Sequence, residues 1–433
     1  MKIIGVMTGN SLDGCDIVLT EFKNGRMNDL AFLSKKISVS LQKNILILKK
    51  RIKNREILSE NLKNDSFFLK THDNYIKWIK SSIQELLIQE SLKANDIDLV
   101  GFHGQTLDHN PPSVATSELP AYTLQMGSGQ MLSDLLGIPV VYDFRSDDVF
   151  FDGEGAPLIP PHNEHMASQM GLKDAFFYNA GNTSNLALIL NGKVLLGFDA
   201  GPFNEFSDKV VREYKNIPFD KDGFWGLKGQ LDMQLLERLF YQSVRTRDGK
   251  NYLELPIPKS ADPTLYHLDD IISIHDEKSF VDTLFTLSYF SGYVAAFSLN
   301  HIENIDYLPT NFILFGGGWK NPIAFQSFSN ILNGTGFVLK EHVTIFDCIR
   351  RKFKKDLKFV FPDGGTYMEA RLMADLAYSF EKKYPWGEPV ITGRTKDVVL
   401  GRKAIPSQRK GQYTDYISRA SEGWQKTKAT TQQ

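Results

Sequence analysis

Residues 5–14 read GVMTGNSLDG, an apolar run that ends in Gly9, Asn10, Ser11, Leu12, Asp13 and Gly14 before Cys15 and Asp16 open the next apolar run. A strand that breaks into such a loop turns backbone N–H groups and a hydroxyl outward, an arrangement suited to phosphate oxygens. Asp13 adds a carboxylate able to hold Mg²⁺ directly or through a bound water. No lysine follows the glycines, so the stretch is not a P-loop of the Walker type. Its residues are also good turn formers, and on its own it reads equally as a hairpin turn. A second stretch of the same kind, NAGNTSN at residues 179–185, tips the reading toward a ligand loop.

Around the first loop the chain reads as three strands. KIIGVM (2–7) and DIVLTEF (16–22) flank it, the turn pair Asn24-Gly25 follows, and LAFLSKKISV (30–39) is the third. Helical spacing then takes over, broken near Asn54 and Asn64, with Ile76, Ile79, Ile83, Leu86 and Leu87 recurring on one face. A strand (DLVGF, 98–102), a helix (SGQMLSDLLG, 128–137) and another strand (IPVVYDF, 138–144) come next.

The second half repeats this grammar about 170 residues later. AFFYNAGN (175–182) runs into a loop, SNLALIL (184–190) returns, Asn191-Gly192 turns, and KVLLGFDAG (193–201) is the third strand. Helices follow in NEFSDKVVREY, LDMQLLERLFYQSV and a long segment from Phe280, then the strand NFILF (311–315) enters Gly316, Gly317 and Gly318. A repeat of that size is a duplicated domain, since solenoid units run to about 20–50 residues. The expectation is two α/β domains, 1–160 and 161–377, with the segment from about 378 to 433 completing the first. Ligands would then sit in a cleft between the glycine loops.

Composition narrows the partners. The 433 residues are too many for one ordinary core, and 50 basic against 51 acidic side chains leave a net charge of −1. That balance offers no broad field for nucleic acid or an anionic membrane. Cys15 and Cys348 are the two cysteines, too few for a disulfide framework and without metal spacing, so a reduced, cytoplasmic setting is expected. The first ten residues lack the long apolar stretch of a signal peptide. Phe280–Leu299 is apolar enough to raise a membrane question, but it carries Asp282 and Gly292 and no flanking cationic cluster, and reads as a buried helix.

Further motifs carry chemistry. In GFDAGPFN (197–204) Asp199 closes a strand ahead of Gly201 and Pro202, placed to project as a general base; the alternative is a helix cap, for which Asn204 is better placed. FGGGWKNP (315–322) lets a flat ring or a ribose lie against Gly316–Gly318, where an ordinary turn seldom needs three glycines. HGQT (103–106) ends a strand, and His103 suits a buried hydrogen-bonding role as well as a site. Arg145 in DFRSDD is a planar donor for carboxylate or phosphate, or a partner of Asp143, Asp147 or Asp148. Glu369 heads a helix, where it also suits the dipole. The run RRKFKK (350–355) reads as a solvated face.

In this order the motifs resemble the anhydro-N-acetylmuramic acid kinase family of the actin and hexokinase superfamily. GVMTGNSLDG, HGQT, YDFR, EGAPL, NAGNTSN, FDAGPFN, FGGGWKNP and MEARLMADLAY stand where that family has GxMSGTSxDG, HGQT, ADFR, QGAPL, NIGGIAN, FDTGPGN, CGGGxxNP and an EA helix. The resemblance implies a duplicated actin-like (ribonuclease H-like) α/β kinase with a central interdomain cleft. It implies a cytoplasmic enzyme that opens the 1,6-anhydro bridge of a sugar with water and phosphorylates the freed O6 from ATP, with Mg²⁺. Asp199 then matches the catalytic base, and Gly9, Asn10, Ser11, Leu12, Asp13, Gly14, Cys15 and Asp16 match the ATP loop. Asn179, Gly181, Asn182, Gly316, Gly317, Gly318 and Asn321 match the rest of the ATP site. Thr106, Arg145 and Glu369 match the sugar side, and Asp13, Asp199 and Glu369 the metal neighbourhood. A homodimer is implied by the resemblance alone; nucleic acid and membrane are not expected partners.

Three positions depart from the family pattern: Asn10 for threonine, Asn182 for the second glycine of NIGG, and Phe203 for the glycine of GPGN. The tail RTKDVVLGRKAIPS (394–407) resembles levoglucosan kinases of the same superfamily instead. The expected substrate is anhydro-N-acetylmuramic acid, with levoglucosan and a catalytically weak sugar-binding regulator as the alternatives.

Overall fold

The computed structural model describes residues 1–9, 12–261, 263–362, 364–407 and 413–421, with the side chain of Thr366 left aside. Asn10 and Ser11 therefore lie outside the described residues. The chain divides into two compact units, residues 1–162 with 367–433, and residues 163–366.

In the first unit β1 (Lys2–Thr8) pairs antiparallel with β2 (Gly14–Lys23), and β2 with β3 (Arg26–Lys36). Asn24 and Gly25 both take positive φ (+53° and +73°), which a two-residue type I′ hairpin turn requires. Two helices follow, α1 (Val39–Lys53) and α2 (Ser66–Gln89), each started by a side chain that accepts a first-turn N–H: Ser38 from Leu41, Asp65 from Phe68. The α2 stripe foreseen from spacing, Ile76, Ile79, Ile83, Leu86 and Leu87, is buried, and Tyr75 is buried beside it.

Next come β4 (Leu99–Phe102), the antiparallel ribbon β5 (Gln105–Asn110) and β6 (Tyr122–Met126), α3 (Gly129–Leu136), β7 (Val140–Tyr142), α4 (Ser146–Phe150) and α5 (Pro160–Gln169). The second unit holds β8 (Ala175–Ala180), β9 (Thr183–Leu190), β10 (Lys193–Pro202), α6 (Glu205–Lys215), α7 (Met233–Gln242), α8 (Glu277–Phe297), β11 (Asn311–Phe315), α9 (Pro322–Asn333), α10 (Val343–Arg351) and β12 (Lys358–Val360). The chain then returns to the first unit with α11 (Met368–Lys382) and β13 (Arg402–Ala404).

The sheets run β3-β2-β1-β4-β7-β13 and β10-β9-β8-β11-β12. Numbering each unit's own strands and setting aside the ribbon and β13, both read 3-2-1-4-5, with the second strand reversed. The turn at Asn191-Gly192 repeats the positive φ pair, +52° and +76°. The protein is thus a duplicated actin-like α/β chain.

Close backbone approaches set the helices. Gly5 and Gly101 are register partners on β1 and β4, and a Cβ on either would stand 1.9 Å from Ala370 O or 2.0 Å from Met373 O. Only glycine lets α11, with Glu369 in its first turn, lie on the sheet so closely. In the second unit Gly292 admits α9 against α8, where a Cβ would meet Ser327 Oγ at 2.0 Å. The apolar segment from Phe280 is this α8, buried along nearly its whole length. No described helix is long and apolar enough to cross a membrane.

Two segments show more than their sequences announce. RRKFKK is not uniformly solvated: the Arg350 guanidinium donates to Ile331 O at 3.1 Å and Lys352 Nζ to Ile302 O at 2.9 Å. The tail forms structure that its short, mixed sequence does not announce. β13 adds antiparallel to β7, Ser418 Oγ donates to Thr123 O at 2.8 Å, and Arg419 bonds Asp143 at 2.8 Å and Asp147 at 2.7 Å.

Candidate functional site

In the first unit the loop Gly9–Asp13 is tied from both sides. Gln42 Nε2 donates to Leu12 O at 2.8 Å, Gln105 Nε2 to Gly9 O at 3.4 Å, and Ile37 N–H to Asp13 O at 3.2 Å. Leu12 and Cys15 turn into the core, at 2% and 1% exposure, and what they supply is packing. Burial pushes the Cys15 thiol up to about 12. Asp13 is exposed on the loop, while Asp16 is half-buried, its carboxyl raised by burial against a hydrogen bond from Ser34.

Around Arg145 the structure places a histidine. His103 Nδ1 lies 2.9 Å from Gly104 O, and Arg145 Nε donates to His103 Nε2 at 3.0 Å. That pair of bonds needs a neutral ring with its proton on Nδ1. Burial, then the Arg145 cation, holds the imidazole down to about 3. Arg145 is thereby aimed by a histidine. The neighbouring carboxylates have other cations: Asp143 has Arg419 and Arg402, Asp147 has Arg419, and Asp148 has Arg394. Thr106 is buried on β5, and Glu369 is half-buried in the first turn of α11.

The second unit brings three loops together at one end of its sheet. Phe203 N–H donates to Asn182 O at 2.7 Å and Asn204 N–H to Gly181 O at 3.1 Å, which joins the turn after β8 to the end of β10. Gly316, with φ +94°, leaves β11 where a Cβ would stand 2.6 Å from both Ala180 O and Asn179 Oδ1. Gly318 meets the Phe203 ring at 2.6 Å from its virtual Cβ, whereas Gly317 is exposed with open space before it. The three glycines thus serve three ends: a close approach, an open face and a seat for a ring. Asn321 caps α9, accepting Ile323 N–H at 3.0 Å and donating to Ser288 Oγ at 2.9 Å.

Asp199 lies on β10 opposite Asn185 of β9, itself opposite Asn179 of β8. Partners on adjacent strands share a face, so these three polar residues form one row across the sheet. Asp199 is 7% exposed, and its Oδ2 accepts from Ser260 Oγ at 3.0 Å and from Ala261 N–H at 2.9 Å.

The anhydro-N-acetylmuramic acid kinase family model matches residues 1–349 of the chain. The protein belongs to this family. Among solved structures it is similar to component A of the (R)-2-hydroxyglutaryl-CoA dehydratase of Acidaminococcus fermentans, at 9% identity and a TM-score of 0.42 over 88% of this chain and 98% of that one. It is also similar to a ROK family glucokinase from Streptomyces griseus in complex with glucose and AMPPNP, at 12% identity and a TM-score of 0.38 over 88% and 100%.

Two of the family departures have local explanations. Phe203 is 1% exposed and meets Trp319 edge-on with centroids 4.7 Å apart, so the ring is a core element behind Gly318. Asn182 turns its amide to Glu205, donating at 2.8 Å. Sequence reading missed the groups that hold Asp199. Lys259 is 1% exposed, and its Nζ donates to Tyr252 O at 3.1 Å and Leu253 O at 3.2 Å and lies 3.0 Å from His301 Nε2. Burial pulls this ammonium down to about 7, with the charges of Asp199 and Glu254 opposing. The only sequence signal was a lysine among prolines in LPIPKSADP, 60 residues beyond Asp199.

Proposed function

We propose that the protein is an ATP- and Mg²⁺-dependent 1,6-anhydro-sugar kinase, acting on anhydro-N-acetylmuramic acid to give N-acetylmuramic acid 6-phosphate. The observation that carries the reading is Asp199, a carboxylate at the end of β10 with donors on one oxygen, in a chain of this family. Asp199 takes the proton of a water whose oxygen bonds to the anomeric carbon. The C1–O6 bond breaks, O6 takes the γ-phosphoryl group, and ADP leaves. Such transfer depends on positioning and on neutralising phosphate charge.

The exposed Gly317 and the loops around Asn179–Asn182 and Gly9–Asp13 are the ATP-binding elements of this reading, and Thr106, Arg145 and Glu369 the sugar-binding ones. Asp13, Asp199 and Glu369 offer the hard carboxylate oxygens that Mg²⁺ takes, Asp13 from an exposed position. When bound, the ion neutralises charge on the transferring phosphoryl group.

A second substrate, levoglucosan, rests on the resemblance of the tail sequence alone. In the tail Arg402 and Arg419 engage Asp143, two positions before Arg145. ATP turnover by the full chain with each anhydro sugar, alongside Asp199→Asn, tests both. The expected result is turnover stimulated by anhydro-N-acetylmuramic acid and a fall of about 10²–10⁴ in the variant, the usual worth of a general base. Stimulation by levoglucosan alone selects the second substrate, and stimulation by neither overturns the kinase reading.

A further inference from the structure

Asp199 stands where β10 breaks register: the pairing with β9 slips between Asp199 and Gly201. A bulge leaves the ladder locally disrupted, so a residue there needs other ties to hold one orientation. One segment 60 residues on supplies three of them. Asp199 N–H donates to Lys259 O at 3.3 Å, and Ser260 Oγ and Ala261 N–H both donate to Asp199 Oδ2. Tyr252 closes the circuit, its hydroxyl donating to Asp199 O at 2.8 Å while its carbonyl accepts from Lys259 Nζ at 3.1 Å. The ammonium also lies 4.8 Å from the centre of the Tyr252 ring.

A buried ammonium is costly, by several kcal/mol before its partners repay it. A methionine would fill the same volume without that penalty. What a cation adds here is charge opposite to Asp199 and a rigid hold on the Tyr252 and Leu253 carbonyls, which shape the segment bearing Ser260. We propose that Ser260 and Lys259 are positioning residues for Asp199: Ser260 fixes the rotation of its carboxylate, and Lys259 braces the segment from which Ser260 and the Ala261 N–H reach it. The proposal rests on the reading of Asp199 as the base. Two donors on one oxygen fix the plane of the carboxylate and stabilise its ionised form, which a base must have before it takes a proton. Misplacing a reacting group by about 1 Å costs on the order of 10²-fold in rate.

The test is steady-state kinetics of the full chain with ATP and its stimulating anhydro sugar. Ser260→Ala is expected to lower kcat by about 10- to 100-fold with both KM values nearly unchanged, and Ser260→Thr, which keeps the hydroxyl, to restore most of it. In an Asp199→Asn background Ser260→Ala should cost nothing further, because Ser260 acts through that carboxylate. Lys259→Met should also lower kcat, and if it fails to fold the Ser260 series decides alone. A Ser260→Ala enzyme with full kcat, one changed mainly in KM, or one with an undiminished loss in the Asp199→Asn background overturns the positioning role. Full activity in Asp199→Asn itself overturns the reading beneath it, and so separates the two failures.

Discussion

The loop after β1 runs five residues, Gly9 to Asp13, whereas its counterpart after β8 has two, Gly181 and Asn182. Both join the first two strands of a 3-2-1-4-5 sheet, yet they are held differently. The short loop is tied through backbone: its carbonyls accept from Phe203 and Asn204, and Gly316 packs directly on Ala180. The described part of the long loop has side-chain amides on two of its carbonyls, Gln42 to Leu12 O and Gln105 to Gly9 O, beside backbone bonds from Ile37 and Leu12, with Leu12 pushed into the core at φ +54°. One duplicated plan has yielded a braced loop and a propped one. Backbone ties are insensitive to which side chains stand nearby, so the braced loop can carry Asn182 where its family has glycine. The propped loop adds to its backbone bonds two glutamines remote in sequence.

The severest way to break this comparison is to remove the ring on which the braced loop rests. Phe203→Ala deletes a fully buried side chain between Gly318 and Trp319 and should cost about 3–5 kcal/mol. Denaturant unfolding measures the loss, and faster amide exchange in β8, β9 and β11 locates it. A loss within about 0.5 kcal/mol, the range of a surface change, means that the bracing lies elsewhere.

Acid offers a second lever, because in the first unit burial holds His72, His103 and His109 below the ordinary imidazole range. His72 on α2 accepts the Ser128 N–H through Nε2 at 3.0 Å, and burial holds its ring down to about 4 against the opposing charges of Asp415 and Asp73. Its folded pKa lies below the ordinary value, so below pH ~6.5 the unfolded chain binds a proton that the folded chain refuses. Stability contributed by the neutral ring is whole above ~6.5 and falls toward pH 4, by at most about 1.4 kcal/mol per pH unit. A His72→Gln variant, which keeps an acceptor without titrating, should show a shallower decline over that window. Parallel stability–pH curves for the two proteins would refute the assignment.

Much of this was legible in the sequence, and the reason is local. Asn-Gly pairs at 24–25 and 191–192 dictate I′ turns whatever surrounds them, and period and glycine breaks place the strands on either side. The motif order placed Asp199 on its strand end and Gly316–Gly318 at the next. What escaped depends on long-range contact. Ser260 and Lys259 meet Asp199 from 60 residues away through a stretch with no periodicity, and β13 is three residues whose only qualification is an open edge beside β7. Phe203 stood out only as a departure from the family glycine, because a sequence shows the lost glycine and not Trp319, 116 residues on, against which the ring packs. Asn185 lay inside a motif already singled out, but its alignment with Asp199 exists only once β9 and β10 are in register.

The finest test concerns a single prop of the longer loop. Gln42 sits in the first turn of α1, and its Nε2 donates to Leu12 O, a carbonyl turned away from its own strand by the left-handed backbone at that residue. Gln42→Ala leaves α1 intact, since alanine is the better helix former, and removes only the donor. The expected loss is about 0.5–1.5 kcal/mol, the net worth of one such bond. It should appear as faster exchange at the Leu12 and Ile37 amides, which bond Gly9 O and Asp13 O across the loop, with slowly exchanging amides of β1 unchanged. Among the described residues no side-chain amide donates to a carbonyl of the shorter loop, and its three backbone ties, from Phe203, Asn204 and Glu205, cannot be cut by truncating a side chain. If Gln42→Ala leaves those amides unmoved, the longer loop is held by the burial of Leu12 and not by its amide props, and the two loops are stiffer equals than their hydrogen bonds suggest.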